Sequence, residues 1–173
     1  MVPSGLVGYF FQTVADRDPQ ARFEVITRDV ATEVRRQLAG SEKFQSRVNV
    51  YSLPSDEVHT AGQKHDLSAM FFTQGMSKLG SSPTRMGEIL GCGLPVIANS
   101  GVGDVAKVIE EYKVGVLVSD GTQAAMTQAL CEFEQLKKDP ELATRCRQAA
   151  EQVFFLDGGS RAYRELYRQI LDS

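Results

Sequence analysis

Gly80-Ser81-Ser82-Pro83-Thr84-Arg85-Met86-Gly87-Glu88-Ile89-Leu90-Gly91-Cys92-Gly93-Leu94-Pro95-Val96-Ile97-Ala98 reads, from left to right, as a small-residue loop, a helix, a glycine turn and a strand. The helix runs from about Pro83 to Leu90. Proline suits its first turn, where the missing N–H has no intrahelical partner to lose. Gly91 and Gly93 bracket the helix end and the turn into Pro95, a stop with a mechanical reason. Pro95-Val96-Ile97-Ala98 is a short apolar run of the kind that forms a buried parallel strand.

The same alternation continues in both directions. Upstream, Gly5 to Ala15 carries Leu6, Tyr9, Phe10 and Thr13 at helical spacing, with Ser4 as a candidate cap. Phe23 to Thr27 is a strand candidate, Val30 to Ala39 a helix stopped by Gly40, and Val48 to Tyr51 the next strand. Pro54-Ser55-Asp56-Glu57 opens a further helix with acidic residues in its first turn. Leu67 to Phe72 reads as a strand. Downstream, a helix from Asp104 to Glu111 follows the Gly101-Val102-Gly103 loop and leads to the strand Val114 to Val118. From Gln123 onward the chain is helical, with breaks near Asp139-Pro140 and Asp157-Gly158-Gly159. The expectation is an α/β domain, a doubly wound parallel sheet flanked by helices.

Such a domain ordinarily begins with a strand, whereas this sequence enters a helix almost at once. The expectation drawn from this is that Met1 is internal to a longer protein, whose upstream part holds the first strand and a preceding domain.

The loop that opens the quoted stretch is where chemistry is expected. Unpaired N–H groups at a helix start, flanked by hydroxyls and by the cations Lys78 and Arg85, suit an anion, and a diphosphate is the natural occupant. Neither G-x-x-x-x-G-K-[ST] nor G-x-G-x-x-G is present, so the anion would be held in another way. Glu88, one turn into the helix, has two oxygens that can accept both hydroxyls of a ribose. The competing reading is a solvated glutamate favoured by the helix dipole.

Ser82-Pro83-Thr84-Arg85-Met86-Gly87-Glu88 and the following Leu90-Gly91-Cys92-Gly93-Leu94-Pro95-Val96-Ile97 resemble the donor-site segment of retaining glycosyltransferases of the GT-B fold, the large family-four group. The pattern there is roughly S-P-T-K-x-x-E-x-x-x-x-G-x-P-V-I. The likeness runs on through Gly101-Val102-Gly103-Asp104 and Gly115 to Val118, to a closing helix around Tyr163 to Leu171. It implies a Rossmann-like C-terminal half of a GT-B enzyme, residues 1 to 173 forming the donor-nucleotide domain and the N-terminal acceptor domain lying outside this sequence. Glu88 then resembles the ribose-binding glutamate. Ser82, Pro83 and Thr84, with Ser81 adjacent, resemble the loop and helix start that hold the diphosphate. Arg85 stands where the family often has lysine, which keeps the charge and changes its geometry. Lys78 and Arg28 are secondary candidates for electrostatic support, with solvated surface cations as the competing reading. Base contacts are expected around Ser52 and Leu53. Many family members carry a second glutamate eight positions earlier, where this sequence has Gly80.

The function so implied is transfer of a sugar from a nucleoside diphosphate sugar to a carbohydrate or lipid-linked acceptor, as in polysaccharide or glycoconjugate biosynthesis. No cofactor or metal is required, and the fragment alone is expected to be inactive. The alternatives are a non-catalytic nucleotide-sugar-binding module and a nucleotide-sugar epimerase of the same build.

Composition narrows the field. With 42% hydrophobic and 24% charged residues the chain has the balance of a globular protein rather than a disordered one. A net charge of −3 gives no field that would draw nucleic acid to the surface. No apolar run approaches the roughly 20 residues of a membrane span. The expectation is a cytoplasmic protein, with peripheral membrane association left open for the full-length parent. Cys92, Cys131 and Cys146 form no disulfide or zinc spacing, and His59 and His65 lack the i, i+4 spacing of paired ligands. Either histidine could sit near the mouth of a site, with ordinary surface roles as the competing reading. Phe71 and Phe72 are expected as core and rim.

Overall fold

The structure, a computed structural model, describes residues 4–38, 45–73, 75, 76, 80 and 84–171. Its strands are β1 (Phe23–Ile26), β2 (Val48–Tyr51), β3 (Ser68–Met70), β4 (Val96–Asn99) and β5 (Gly115–Val118). The helices are α1 (Ser4–Arg17), α2 (Ala31–Leu38), α3 (Val58–Gly62), α4 (Thr84–Gly91), α5 (Val105–Tyr112), α6 (Gln123–Leu136), α7 (Leu142–Phe154) and α8 (Leu156–Leu171). β1 pairs with β2, and β3, β4 and β5 pair in that order; every pairing is parallel. The fold is the expected α/β arrangement of parallel strands flanked by helices.

Two apolar layers enclose the strands. On one face, Phe10 and Phe11 of α1 and Met126, Leu130 and Phe133 of α6 pack with Phe23, Val48, Ile97, Val116 and Val118. On the other, Met86 and Leu90 of α4, Val105 and Ile109 of α5, and Cys146 and Ala149 of α7 pack with Val96 and Ala98. Successive residues of β4 thus serve opposite layers, as the two-residue period of a strand requires, and all three apolar side chains are 0% exposed. Val96 and Ile97 each contribute roughly 1.5–3 kcal/mol on burial, and the Ala98 methyl less. Short irregular features fix the ends. Thr122 caps α6, its side chain accepting from the Ala125 N–H at 3.2 Å. Arg47 donates to the Ala15, Asp18, Pro19 and Ala21 carbonyls, so one guanidinium gathers the carbonyls at and beyond the end of α1.

Several expected boundaries move. β3 is Ser68–Met70 rather than Leu67 to Phe72. After Met70 the ladder is taken over by a side chain, because the Phe72 N–H donates to Asn99 Oδ1 at 2.8 Å. At the other end, Ser68 N–H donates to the carbonyl of Pro95, which has no N–H to extend the ladder. The expected helix after Pro54 begins only at Val58, residues 54 to 57 forming a turn closed by Glu57 N–H to Pro54 O. Ser4 lies within α1 rather than before it. The break at Asp157-Gly158-Gly159 is not where the helix stops: the extended residue is Phe155, and both glycines lie inside α8. Glycine in an exposed helix costs only about 1 kcal/mol, so the pair does not by itself force a break. Gly40 and Ala39 lie outside the described residues.

Glu24 of β1, exposed, accepts a hydrogen bond from the Tyr51 hydroxyl of β2 and pairs with His65 Nε2 at 2.9 Å. The Tyr51 bond first, and the His65 bond second, hold the Glu24 carboxyl below its usual range. The same carboxylate pushes the Tyr51 phenol up to about 12. Tyr51 has the higher pKa when folded, so its contribution is complete below the ordinary phenol value of about 10 and is lost as pH rises through about 12. Glu24 has the lower pKa when folded, so its contribution is present at neutral pH and is lost as pH falls through the lowered value. Tyr51→Phe is therefore expected to cost about 1 kcal/mol at pH 7, given partial exposure. Urea unfolding across the acid range should show that difference narrowing as Glu24 takes up its proton.

Candidate functional site

α4 is anchored from below by Met86 and Leu90, both 0% exposed. That anchoring turns Thr84 and Glu88, four residues apart on one helix face, toward solvent. α7 crosses beside them. A Cβ added at Gly87 would lie 2.7 Å from Phe154 Cβ, so the close approach of the two helices depends on glycine there. Thr84, Gly87 and Glu88 from α4, with Ala150, Glu151 and Phe154 from α7 and Phe155 just beyond it, line an open hollow of about 400 Å³.

The root of the loop leading to α4 is held by a buried amide. Asn99, 7% exposed at the end of β4, accepts the Phe72 N–H at 2.8 Å and donates to the Phe72 carbonyl at 3.1 Å and the Ser100 carbonyl at 3.2 Å. Its amide oxygen accepts and its NH₂ group donates, so both ends of the side chain are used. Phe71, one residue earlier, is 4% exposed and meets Phe10 edge-on with ring centroids 5.5 Å apart. Phe72 is half-buried at the rim of the other layer.

Arg28 and Leu53 follow the carboxyl ends of β1 and β2, where open α/β sheets bind ligands. Arg28 is exposed after β1, in a turn where the Asp29 N–H donates to Thr27 Oγ1 at 3.1 Å. Leu53 is half-buried after β2, beside the exposed Ser52. Arg85 is exposed on α4 but does not line the hollow. Lys78, Ser81, Ser82 and Pro83 lie outside the described residues. Gly80 is exposed, and a Cβ added there meets nothing within 4 Å. His65 is engaged with Glu24 rather than placed at this hollow. Thr84 and Glu88 are thus the two expected residues brought into one described hollow.

Sequence reasoning did not single out Ala150, Glu151, Phe154 or Phe155, which complete the wall by helix packing across a long separation. It also passed over Asn99, although a polar residue closing the apolar run Pro95 to Ala98 is a visible signal.

Residues 15–153 match the family described as "Glycosyl transferases group 1". The chain belongs to that family. This group 1 domain also resembles solved structures. A glycosyltransferase from Rickettsia africae ESF-5 superposes with a TM-score of 0.73 at 16% identity, covering 99% of this chain and 45% of that one. WaaG, a glycosyltransferase involved in lipopolysaccharide biosynthesis, gives a TM-score of 0.65 at 16% identity, covering 92% of this chain and 41% of that one. The group 1 domain therefore spans less than half the length of these two structures, and it shares the fold of GT-B glycosyltransferases. No curated protein matches the chain.

Proposed function

We propose that this group 1 domain holds the donor in a glycosyltransferase that moves a sugar from a nucleoside diphosphate sugar to a carbohydrate or lipid-linked acceptor. The observation that carries the reading is Glu88. It stands exposed one turn into α4, on the same face and hollow as Thr84, inside the part of the chain that matches the family. In this reading the Glu88 oxygens accept the ribose hydroxyls. The α4 N-terminus, with Thr84 and the preceding Ser81, Ser82 and Pro83, takes the diphosphate. Arg85, Lys78 and Arg28 add positive charge nearby, and the loop at Ser52 and Leu53 meets the base.

Transfer breaks the bond between the anomeric carbon and the diphosphate oxygen and forms one to an acceptor hydroxyl, whose proton is released. The diphosphate leaves with the bonding pair. N–H dipoles and cations already aimed at it lower the barrier by electrostatic preorganisation. No metal or cofactor is called for, and the anomeric configuration is retained. The donor domain alone does not complete this reaction, because the acceptor is bound by an N-terminal domain of the same enzyme. We place the enzyme in the cytoplasm, peripheral to the membrane where the acceptor is lipid-linked; among the described residues no helix is long and apolar enough to cross a bilayer.

Gly80 favours a second reading. It supplies no carboxylate where many family members contact the transferred sugar, which suits a binding module without turnover. An assay of the full-length protein with UDP-, GDP- and ADP-sugars and a panel of carbohydrate and lipid-linked acceptors separates these. The expected result is acceptor-dependent release of the nucleoside diphosphate with a product of retained configuration by NMR. Donor binding without turnover on any acceptor would support the module, and conversion of donor without acceptor would support an epimerase.

A further inference from the structure

We propose that Asn99 is a positioning residue for the donor: its side-chain amide locks the connection leaving β3 to the connection leaving β4, so that both meet the diphosphate end of the ligand in one fixed geometry. The inference rests on the donor reading above and gives a role to a residue that does not itself line the Glu88 hollow.

β4 is apolar until its last residue. Val96, Ile97 and Ala98 are 0% exposed, and Asn99 beside them is 7% exposed. Asparagine is a poor strand former, and a buried amide is costly unless its donors and its acceptor are matched. An apolar β-branched residue would continue the pattern of β4 without that demand. Departures from an otherwise consistent local pattern are expected where function requires them.

The Asn99 amide stands in for a peptide unit of the ladder. It accepts the Phe72 N–H at 2.8 Å and donates back to the Phe72 carbonyl at 3.1 Å. Two opposed bonds to one residue fix both its place and its rotation. The amide nitrogen also donates to the Ser100 carbonyl at 3.2 Å. Phe72 opens the stretch that enters α4 at Thr84, and Ser100 opens the stretch that enters α5 at Val105. β3 and β4 are parallel neighbours, so both stretches leave from carboxyl ends, the side of an open α/β sheet where ligands bind.

The β4–α5 connection is the fixed partner of the two. Val102 is 2% exposed in the layer of α4, α5 and α7. It lies between Gly101 and Gly103, whose φ values of 86° and 40° are ones that L side chains rarely adopt. A buried plug between two such residues leaves this connection little freedom. Through Asn99 that fixity passes to the start of the β3–α4 connection. At the far end α4 is anchored by Met86 and Leu90, so the chain between Phe72 and Thr84 has both ends fixed. Groups aimed at a departing diphosphate act well only when held to within about 0.5 Å. Releasing one end loosens them without removing any ligand contact.

The test is calorimetric titration of the full-length protein with UDP, GDP and ADP, for wild type, Asn99→Ala, Asn99→Val and Leu130→Ala. Both Asn99 substitutions remove the amide, and valine in addition suits a buried strand end. Leu130 packs in the opposite layer, so Leu130→Ala lowers stability without reaching the two connections. A smaller folded fraction lowers the number of sites titrated, whereas a misplaced donor site raises the dissociation constant. The expected dissociation constant is at least about tenfold higher in both Asn99 variants, about 1.4 kcal/mol, and within about twofold of wild type in Leu130→Ala. Unchanged affinity in the Asn99 variants, with Glu88→Ala weakened, would overturn this inference and leave the donor reading standing. Equal weakening in Leu130→Ala would overturn it too. No binding by wild type would overturn both. If Asn99→Ala does not fold, Asn99→Val decides; failure of both to fold would make Asn99 a residue of the fold alone and overturn the proposal.

Discussion

Gly115→Ala is expected to remove about 3 kcal/mol or more of folding stability, the upper end of what overpacking a core costs. Gly115 opens β5 and lies in register with Val96 of β4. A Cβ built there would stand 2.1 Å from the Val96 carbonyl oxygen, 2.9 Å from Val96 Cγ2 and 3.0 Å from its carbonyl carbon. None of these neighbours can swing aside as a long side chain would. The clash is with the backbone of a strand whose side chains are wholly buried, so relief requires β4 and β5 to separate. Domains of this size hold roughly 5–15 kcal/mol in total, and a loss on this scale should lower the urea midpoint visibly with little change in slope. Gly159→Ala is the control. The new methyl would meet nothing within 4 Å inside α8, and alanine's better helix propensity should leave stability equal or up to about 1 kcal/mol higher. Equal effects of the two substitutions would contradict the packing described for β4 and β5.

Much of the architecture was legible because the strands coincide with short apolar runs and the helices between them carry a 3.6-residue period. β2 falls on the expected residues, β1 and β5 differ from expectation by one residue at an end, and β4 is shifted by one residue at both ends. Ends were harder wherever a tertiary contact decides them. Nothing local in Leu67 to Phe72 says that the Asn99 side chain will take the Phe72 amide and stop β3. Gly158 and Gly159 read as a break because glycine is a poor helix former, yet the turn falls at Phe155. The site divides in the same way. Glu88 and Thr84, which line one hollow, were singled out from a helix start and from the resemblance of the surrounding motif. Phe154 and Glu151 were not, since what brings them to the hollow is the packing of α7 on Gly87. The Glu24, Tyr51 and His65 cluster was equally hidden, being assembled from two strands and a loop.

Glu88→Ala is expected to weaken nucleoside diphosphate binding by about 10- to 100-fold. Hydrogen bonds to a charged acceptor contribute about 1.5–3 kcal/mol each, and a factor of ten corresponds to about 1.4 kcal/mol. Because Glu88 is exposed in the hollow, water competes for its oxygens, and the lower half of that range is the better expectation. Fold stability should change little, as no buried contact is lost. Glu88→Gln should fall between, since its amide keeps one acceptor oxygen but not the charge or the second acceptor.

Calorimetric titration of the full-length protein with UDP, GDP and ADP, in parallel for wild type and Glu88→Ala, tests the donor site most directly. The account predicts that at least one of the three binds the wild type and is weakened at least about tenfold by the substitution. Equal affinity in the two proteins, or no binding of any of the three to the wild type, would contradict it.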